Sequence, residues 1–265
     1  MSAAFVAAMT KLADLSERRC SEPWEWPGHS GWPLQVRDAL YRSLEEELAA
    51  VAAQAAPTTE AGRLLTVGQR AWGELRGLLV GIPDAALDQA PPSPPAPADE
   101  QESEWTLRDV LAHVLLTERR YRQQVQYALR RSESEPLARP PSAALSESER
   151  SGDLSGWIQK LAAERMAGAE LASATADQLQ RPTVWAGYNV NVRFRMLRFA
   201  GHLVEHAVQA EKVLAARGWE AGEAHQIVRR ISAARGAHEL STHVEILGRL
   251  DAVHSERAAR LAAPG

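Results

Sequence analysis

The sequence predicts an all-α fold, and three observations carry that prediction. Apolar residues recur at spacings of three and four, few segments alternate apolar with polar, and β-branched residues are sparse. The apolar fraction, 45% of 265 residues, comes mainly from alanine, leucine and valine. Alanine and leucine lose little on entering a helix. A chain of this length has material for a helical bundle with further helices around it.

Residues 5–19 fit a short helix. EPWEWPGHSGWP (22–33) is broken by prolines and glycines and reads as a loop or cap. From Leu34 a helix is expected, because Val36, Leu40, Leu44, Leu48 and Val51 define one buried face; Pro57 ends it. A second helix covers 60–80, and the proline-rich PPSPPAPADEQESE (91–104) after it reads as an exposed loop. Thr106-Leu-Arg-Asp109 has the form of a capping box and opens a third helix reaching about residue 129.

The connection 132–150 is long enough to carry the chain from one end of a bundle to the other. The helices on either side of it are therefore free to run parallel. Asp153 or Ser155 caps a fourth helix ending near Ala174. QRPTVWAGYN reads as a loop, and a fifth helix spans 192–217 with Gly218 as its stop. Residues 222–262 form one or two more amphipathic helices. The chain thus divides into an N-terminal helical extension (1–57), a four-helix bundle (58–220) and a C-terminal helical extension (221–265).

A net charge of -4 gives no general attraction to nucleic acid or anionic membrane. Cys20 is the single cysteine, so no intrachain disulfide forms, which fits a reducing compartment. MSAAFVAAMTKL lacks the basic start and apolar stretch of a signal peptide, and no window supplies the roughly 18 apolar residues of a membrane span. A soluble, cytoplasmic protein is expected.

The informative segment is FRMLRFAGHLVEHAVQAEKVLAARG, residues 194–218. His202 and His206 are four apart, hence about 40° apart around a helix and one turn apart along it. Arg195 and Arg198 continue their stripe in one direction and Gln209 in the other. The pair alone does not define a metal site, since zinc takes at least three protein ligands. WTLRDVLAHVLLTERRY supplies a third candidate, His113, on the flank of its helix's apolar stripe.

Trp105-Thr-Leu-Arg-Asp-Val-Leu-Ala-His113, with Glu118 five residues on, and His202-Leu-Val-Glu-His206 followed by Gln209 resemble the motifs of the DinB-like (DinB/YfiT) family. The resemblance covers roughly residues 59–218. It implies a four-helix bundle in which His113, His202 and His206 hold a divalent metal. It also implies a thiol-dependent S-transferase or isomerase, with a low-molecular-weight thiol and an electrophile as small-molecule partners. Three neutral imidazoles leave a fourth position open, the layout of a catalytic zinc site. An ion so held lowers the pKa of a bound water or thiol. Zinc is the expected ion, and His-rich sites also accept nickel or iron.

Glu118 falls near the centre of its apolar stripe, which suits either a carboxylate orienting a ligand histidine or one paired with a buried arginine. Arg195 and Arg198 are candidate substrate anchors, with simple exposure near a helix start as the plainer reading, and Gln209 is a candidate neighbour of the ligands. A substrate cleft is expected between residues 182–191 and the start of the last bundle helix, with Tyr188, Asn189 and Asn191 as lining candidates. Glu205 is expected in solvent. His29, His225, His238, His243 and His254 lack paired spacing and are expected at the surface; Trp24, Trp26, Trp32 and Trp185 are expected to plug bundle ends. An alternative function keeps the metal without catalysis, as a stress-response or scaffold protein. A third makes the terminal helices an assembly surface, for instance of a homodimer. A di-iron carboxylate bundle is excluded: it needs Glu-x-x-His on two helices, and the sequence has none.

Overall fold

The computed structural model describes residues 2–25, 33–54, 57–90 and 105–263. The 91–104 loop reading, His29, Trp26 and Trp32 lie outside the described residues. In chain order the elements are α1 (Ala3–Ala13), α2 (Glu17–Cys20), β1 (Pro23–Trp24), β2 (Leu34–Gln35), α3 (Val36–Ala52) and α4 (Glu60–Leu79). A 3-10 turn (Asp84–Ala86) precedes α5 (Leu107–Arg130), α6 (Glu147–Arg150) and α7 (Leu154–Ala167). A second 3-10 stretch (Ala169–Ser173) leads to α8 (Ala176–Leu179), β3 (Pro182–Trp185), β4 (Tyr188–Asn191), α9 (Val192–Ala215), α10 (Glu223–His238) and α11 (Val244–Ala262). No described helix is long and apolar enough to cross a membrane.

The chain forms two compact units. One comprises Ala55–Trp72 and Pro83–Gly218, the other Met1–Gln54, Gly73–Ile82 and Trp219–Gly265.

The first unit is the four-helix bundle of α4 (through Trp72), α5, α7 and α9. Thr106 opens α5 with the expected capping box: its hydroxyl accepts from Asp109 N, and Asp109 accepts in return from Thr106 N at 3.1 Å. Asp153 caps α7 through Gly156 N. α5 and α7 run parallel, because their contacts rise together in sequence: Arg108 to the Gly152 carbonyl at 2.9 Å, Glu118 to Arg165 at 2.6 Å, Gln126 to Glu170 at 2.7 Å. The 132–150 connection spans the bundle as its length allows. α9 runs antiparallel to α5, pairing His113 with His206 at one level and Tyr121 with Phe199 at another. The interior joins Leu64, Leu65, Tyr121, Val125, Leu171, Leu179, Met196 and Phe199.

The sequence reading of 180–189 as a loop is corrected. Residues 182–191 form a two-stranded hairpin in which Thr183 pairs with Val190 and Trp185 with Tyr188. Ala186 and Gly187 turn it with φ of +47° and +83°, the handedness of a two-residue turn whose twist matches the strands. Four-residue strands are too short for alternation to be legible. The fourth helix also stops at Ala167 and continues as 3-10 turns, and the expected 5–19 helix breaks, because the Ser16 hydroxyl caps a new one at Arg19 N.

The second unit brings together residues from both ends of the chain. Its centre is the Glu47 carboxylate on α3, wholly buried. Arg235 on α10 reaches both its oxygens at 2.9 Å, and His238 and His254 each contact one at 2.6 Å. Arg235 also pairs with Asp251 at 2.8 Å. His225, His238 and His254, expected at the surface, are thus buried. Their partners (the Val80 carbonyl at 2.9 Å for His225, Glu47 for the others) are remote in sequence, so no local spacing marks them. Where α4 crosses α10 the backbones nearly touch: a Cβ on Gly73 would lie 2.2 Å from the Ser232 carbonyl oxygen.

Candidate metal centre

His113 projects from α5, and His202 and His206 from successive turns of α9. Nε2 of His113 and Nε2 of His202 lie 3.3 Å apart. The His202 and His206 rings are 4.3 Å apart by centroid, those of His113 and His206 4.6 Å. One ring nitrogen from each histidine lies within 4.8 Å of the other two, a metal-ligand spacing. His202 and His206 are buried, whereas His113 is partly exposed. Tyr121 packs its ring 5.4 Å from His202, and Trp105 its ring 5.1 Å from His113.

The remaining nitrogens have neighbours of their own. His206 Nδ1 bonds Gln209 Oε1 at 2.5 Å, which leaves Nε2 to face the cluster. His202 Nδ1 lies 3.9 Å from Glu118 Oε1, and the other Glu118 oxygen accepts from Arg165 at 2.6 Å. In His113 it is the cluster-facing Nε2 itself that Thr117 Oγ1 approaches, at 3.4 Å. Both sequence readings of Glu118 therefore meet in one carboxylate: it faces a candidate ligand and is paired with a buried arginine. Burial raises the Glu118 carboxyl above its usual range, with Arg165 opposing.

Burial, reinforced by the neighbouring histidine charges, lowers the pKa of His202 to about 2. Burial, with the charge at His206 adding to it, brings His113 to about 4. Both imidazoles are thus neutral at pH 7 with lone pairs available, the protonation state that a metal ligand requires. The donor set fits a divalent ion: three ring nitrogens converge, one short of the four protein ligands of a closed structural zinc site.

The other predicted residues are dispersed. Arg195 is buried with its guanidinium stacked 4.4 Å over the Tyr121 ring, so the exposure expected near the start of α9 is not found. Tertiary stacking overrides its position. Arg198 stacks over Trp185 at 4.9 Å and pairs with Glu205 at 3.1 Å, which gives Glu205 a partner as well as solvent. Asn191 caps α9 through Phe194 N at 2.9 Å, and Tyr188 is exposed on the hairpin. A cavity of about 280 Å³ adjoins His113, but its walls are apolar residues such as Trp105, Leu116 and Leu145 with the charged Asp109 and Arg150, rather than the hairpin. The hairpin packs inward, with the Trp185 indole donating to the Tyr121 hydroxyl at 3.2 Å. Sequence reasoning missed Gln69, Arg165 and Tyr121 as neighbours of the site. Only Tyr121 could have been found, lying eight residues after His113 on the same helix.

The fold and this cluster define a class: an all-α protein whose bundle carries a three-histidine candidate metal centre. A profile described as the DinB superfamily matches residues 68–210, more than half of the chain, and the chain belongs to that superfamily. Among solved structures it is similar to one described as "YfiT from Bacillus subtilis is a probable metal-dependent hydrolase with an unusual four-helix bundle topology". The identity is 17% and the TM-score 0.48, over 63% of this chain and 93% of that one. No curated protein matches the chain.

Proposed function

We propose that this chain binds one divalent ion, zinc first among candidates, through His113, His202 and His206. In this reading it is a cytoplasmic, metal-dependent thiol S-transferase or thiol-dependent isomerase that uses a low-molecular-weight thiol. The observation that carries the reading is the convergence of three imidazole nitrogens, with a cavity adjoining His113. A purely structural zinc site would be closed by a fourth protein ligand. A divalent ion there supplies Lewis-acid activation of a thiol at neutral pH.

The chain's own residues do the rest. His202 and His206, buried on one helix, fix two donor directions, and His113 sets the third from the partner helix. Trp105, Leu116 and Leu145 give the cavity beside His113 an apolar wall that receives the carbon skeleton of an electrophile, and Asp109 and Arg150 line it as well. The thiol chemistry rests on the resemblance of the two histidine motifs to DinB-like enzymes.

The test is metal analysis of the purified protein followed by conjugation assays with mycothiol, bacillithiol and glutathione. Transfer with one thiol, abolished by chelation and restored by zinc, supports the enzyme. A metal-loaded protein inactive with all three would favour the non-catalytic scaffold.

A further inference from the structure

One residue from each of the four bundle helices stands in a single file that ends on a candidate metal ligand. Gln69 Oε1 on α4 accepts from Arg165 Nε on α7 at 2.6 Å. Arg165 Nη1 donates to Glu118 Oε2 on α5 at 2.6 Å, and Glu118 Oε1 lies 3.9 Å from Nδ1 of His202 on α9. All four side chains are buried. Glu118 Oε1 and His202 Nδ1 have no other hydrogen-bond partner. An imidazole N–H and a carboxylate oxygen are complementary, and an approach of about 1 Å makes a bond of ordinary length.

A plain ion pair would look different. In the second unit Arg235 engages both oxygens of Glu47, the fork geometry that an arginine and a carboxylate commonly adopt. Arg165 bonds one oxygen of Glu118 and leaves the second turned toward His202. The bundle also makes room for this arginine. A Cβ on Gly68 would lie 2.8 Å from Arg165 Nη2, and the Phe199 ring supports the guanidinium at 5.2 Å.

We propose that Gln69, Arg165 and Glu118 form a positioning relay that holds His202 in its Nδ1–H tautomer and turns Nε2 toward His113 and His206. Histidines that ligate metals commonly donate their second N–H to a carboxylate, which fixes ring and tautomer. Here that carboxylate is itself held by two further helices, so the packing of the whole bundle sets the direction of one ligand. The purpose of the relay rests on the proposed metal site; the tautomer does not.

Long-range 15N–1H NMR of the imidazole nitrogens, on the full-length protein stripped of metal with a chelator, reads that tautomer. The wild type is expected to carry the His202 proton on Nδ1. Glu118→Gln offers one acceptor oxygen to two donors; it should shift the proton toward Nε2 and weaken Zn(II) binding by about 10–100-fold. Gly68→Ala, which presses only on the tip of Arg165, should shift both in the same direction by less, and serves if Glu118→Gln does not fold. An Nε2–H tautomer in the wild type, or a tautomer unchanged in a folded variant, overturns the relay. A tautomer shift in the variants together with a wild type that takes up no Zn(II) keeps the relay and overturns the metal reading instead.

Discussion

Nε2 of His113 and Nε2 of His202 stand 3.3 Å apart although 89 residues separate them in sequence. Two nitrogen lone pairs at that distance repel unless a proton or a cation lies between them. The antiparallel packing of α5 against α9 enforces the approach, so the bundle itself demands a proton or a cation at this point. With His202 holding its proton on Nδ1, a proton on His113 Nε2 meets that demand in the metal-free protein. A divalent ion meets it for all three imidazoles at once.

Gly73→Ala should destabilise the second unit strongly. The new Cβ would lie 2.2 Å from the Ser232 carbonyl oxygen and 3.0 Å from Ala233 Cα, both backbone atoms that cannot swing aside. Overpacking of this kind costs about 1–3 kcal/mol or more. Urea denaturation should show an earlier transition, and an unchanged midpoint would mean that α4 and α10 are not so closely packed.

Glu47→Gln should destabilise by up to about 3–5 kcal/mol, because it takes one of two carboxylate partners from buried Arg235 and leaves it Asp251 alone. Burial alone would raise the Glu47 carboxyl, but hydrogen bonds from His238, His254 and Arg235 outweigh it and hold the group well below the usual range. A depressed carboxyl stabilises the fold at pH above its unfolded pKa of about 4.3 and loses that contribution as pH falls toward the folded value. Wild-type stability should therefore decline on acidification below about pH 4.3, more steeply than that of Glu47→Gln. Parallel acid profiles for the two proteins would contradict the assignment.

Ala186→Asn should stabilise the hairpin. Ala186 sits at φ +47°, where an L side chain without local hydrogen bonding is strained. Asparagine before Gly187 suits a turn with positive φ at both positions. A gain of about 0.5–1 kcal/mol is expected from the urea midpoint, and a loss would show that the turn has another form.

The fold was legible where the chemistry is local. Thr106 and Asp109 announce the start of α5, Gly218 marks the end of α9 with φ +76°, and the spacing of His202 and His206 needs only a helix to place both rings on one side. The length of 132–150 likewise implied the parallel α5 and α7. Long-range relationships were not legible. Nothing near Glu118 in sequence points to Arg165, 47 residues on, and nothing near Glu47 points to His254, 207 residues on. Arg195 and Arg198 looked free because cation–π stacking on Tyr121 and Trp185 depends on packing that no spacing encodes. The glycines of α4 carry the same lesson: nothing local in the sequence says that Gly68 and Gly73 mark where Arg165 and the α10 backbone come close.

The most direct test of the central claim is the metal content of purified wild-type protein beside His206→Ala, each incubated with Zn(II) and then gel-filtered. About one ion per chain is expected in the wild type and almost none in the variant, since two imidazoles hold a divalent ion poorly. Metal-free wild type, with Ni(II) and Fe(II) also refused, or His206→Ala that keeps a full complement of metal, would contradict the three-histidine centre.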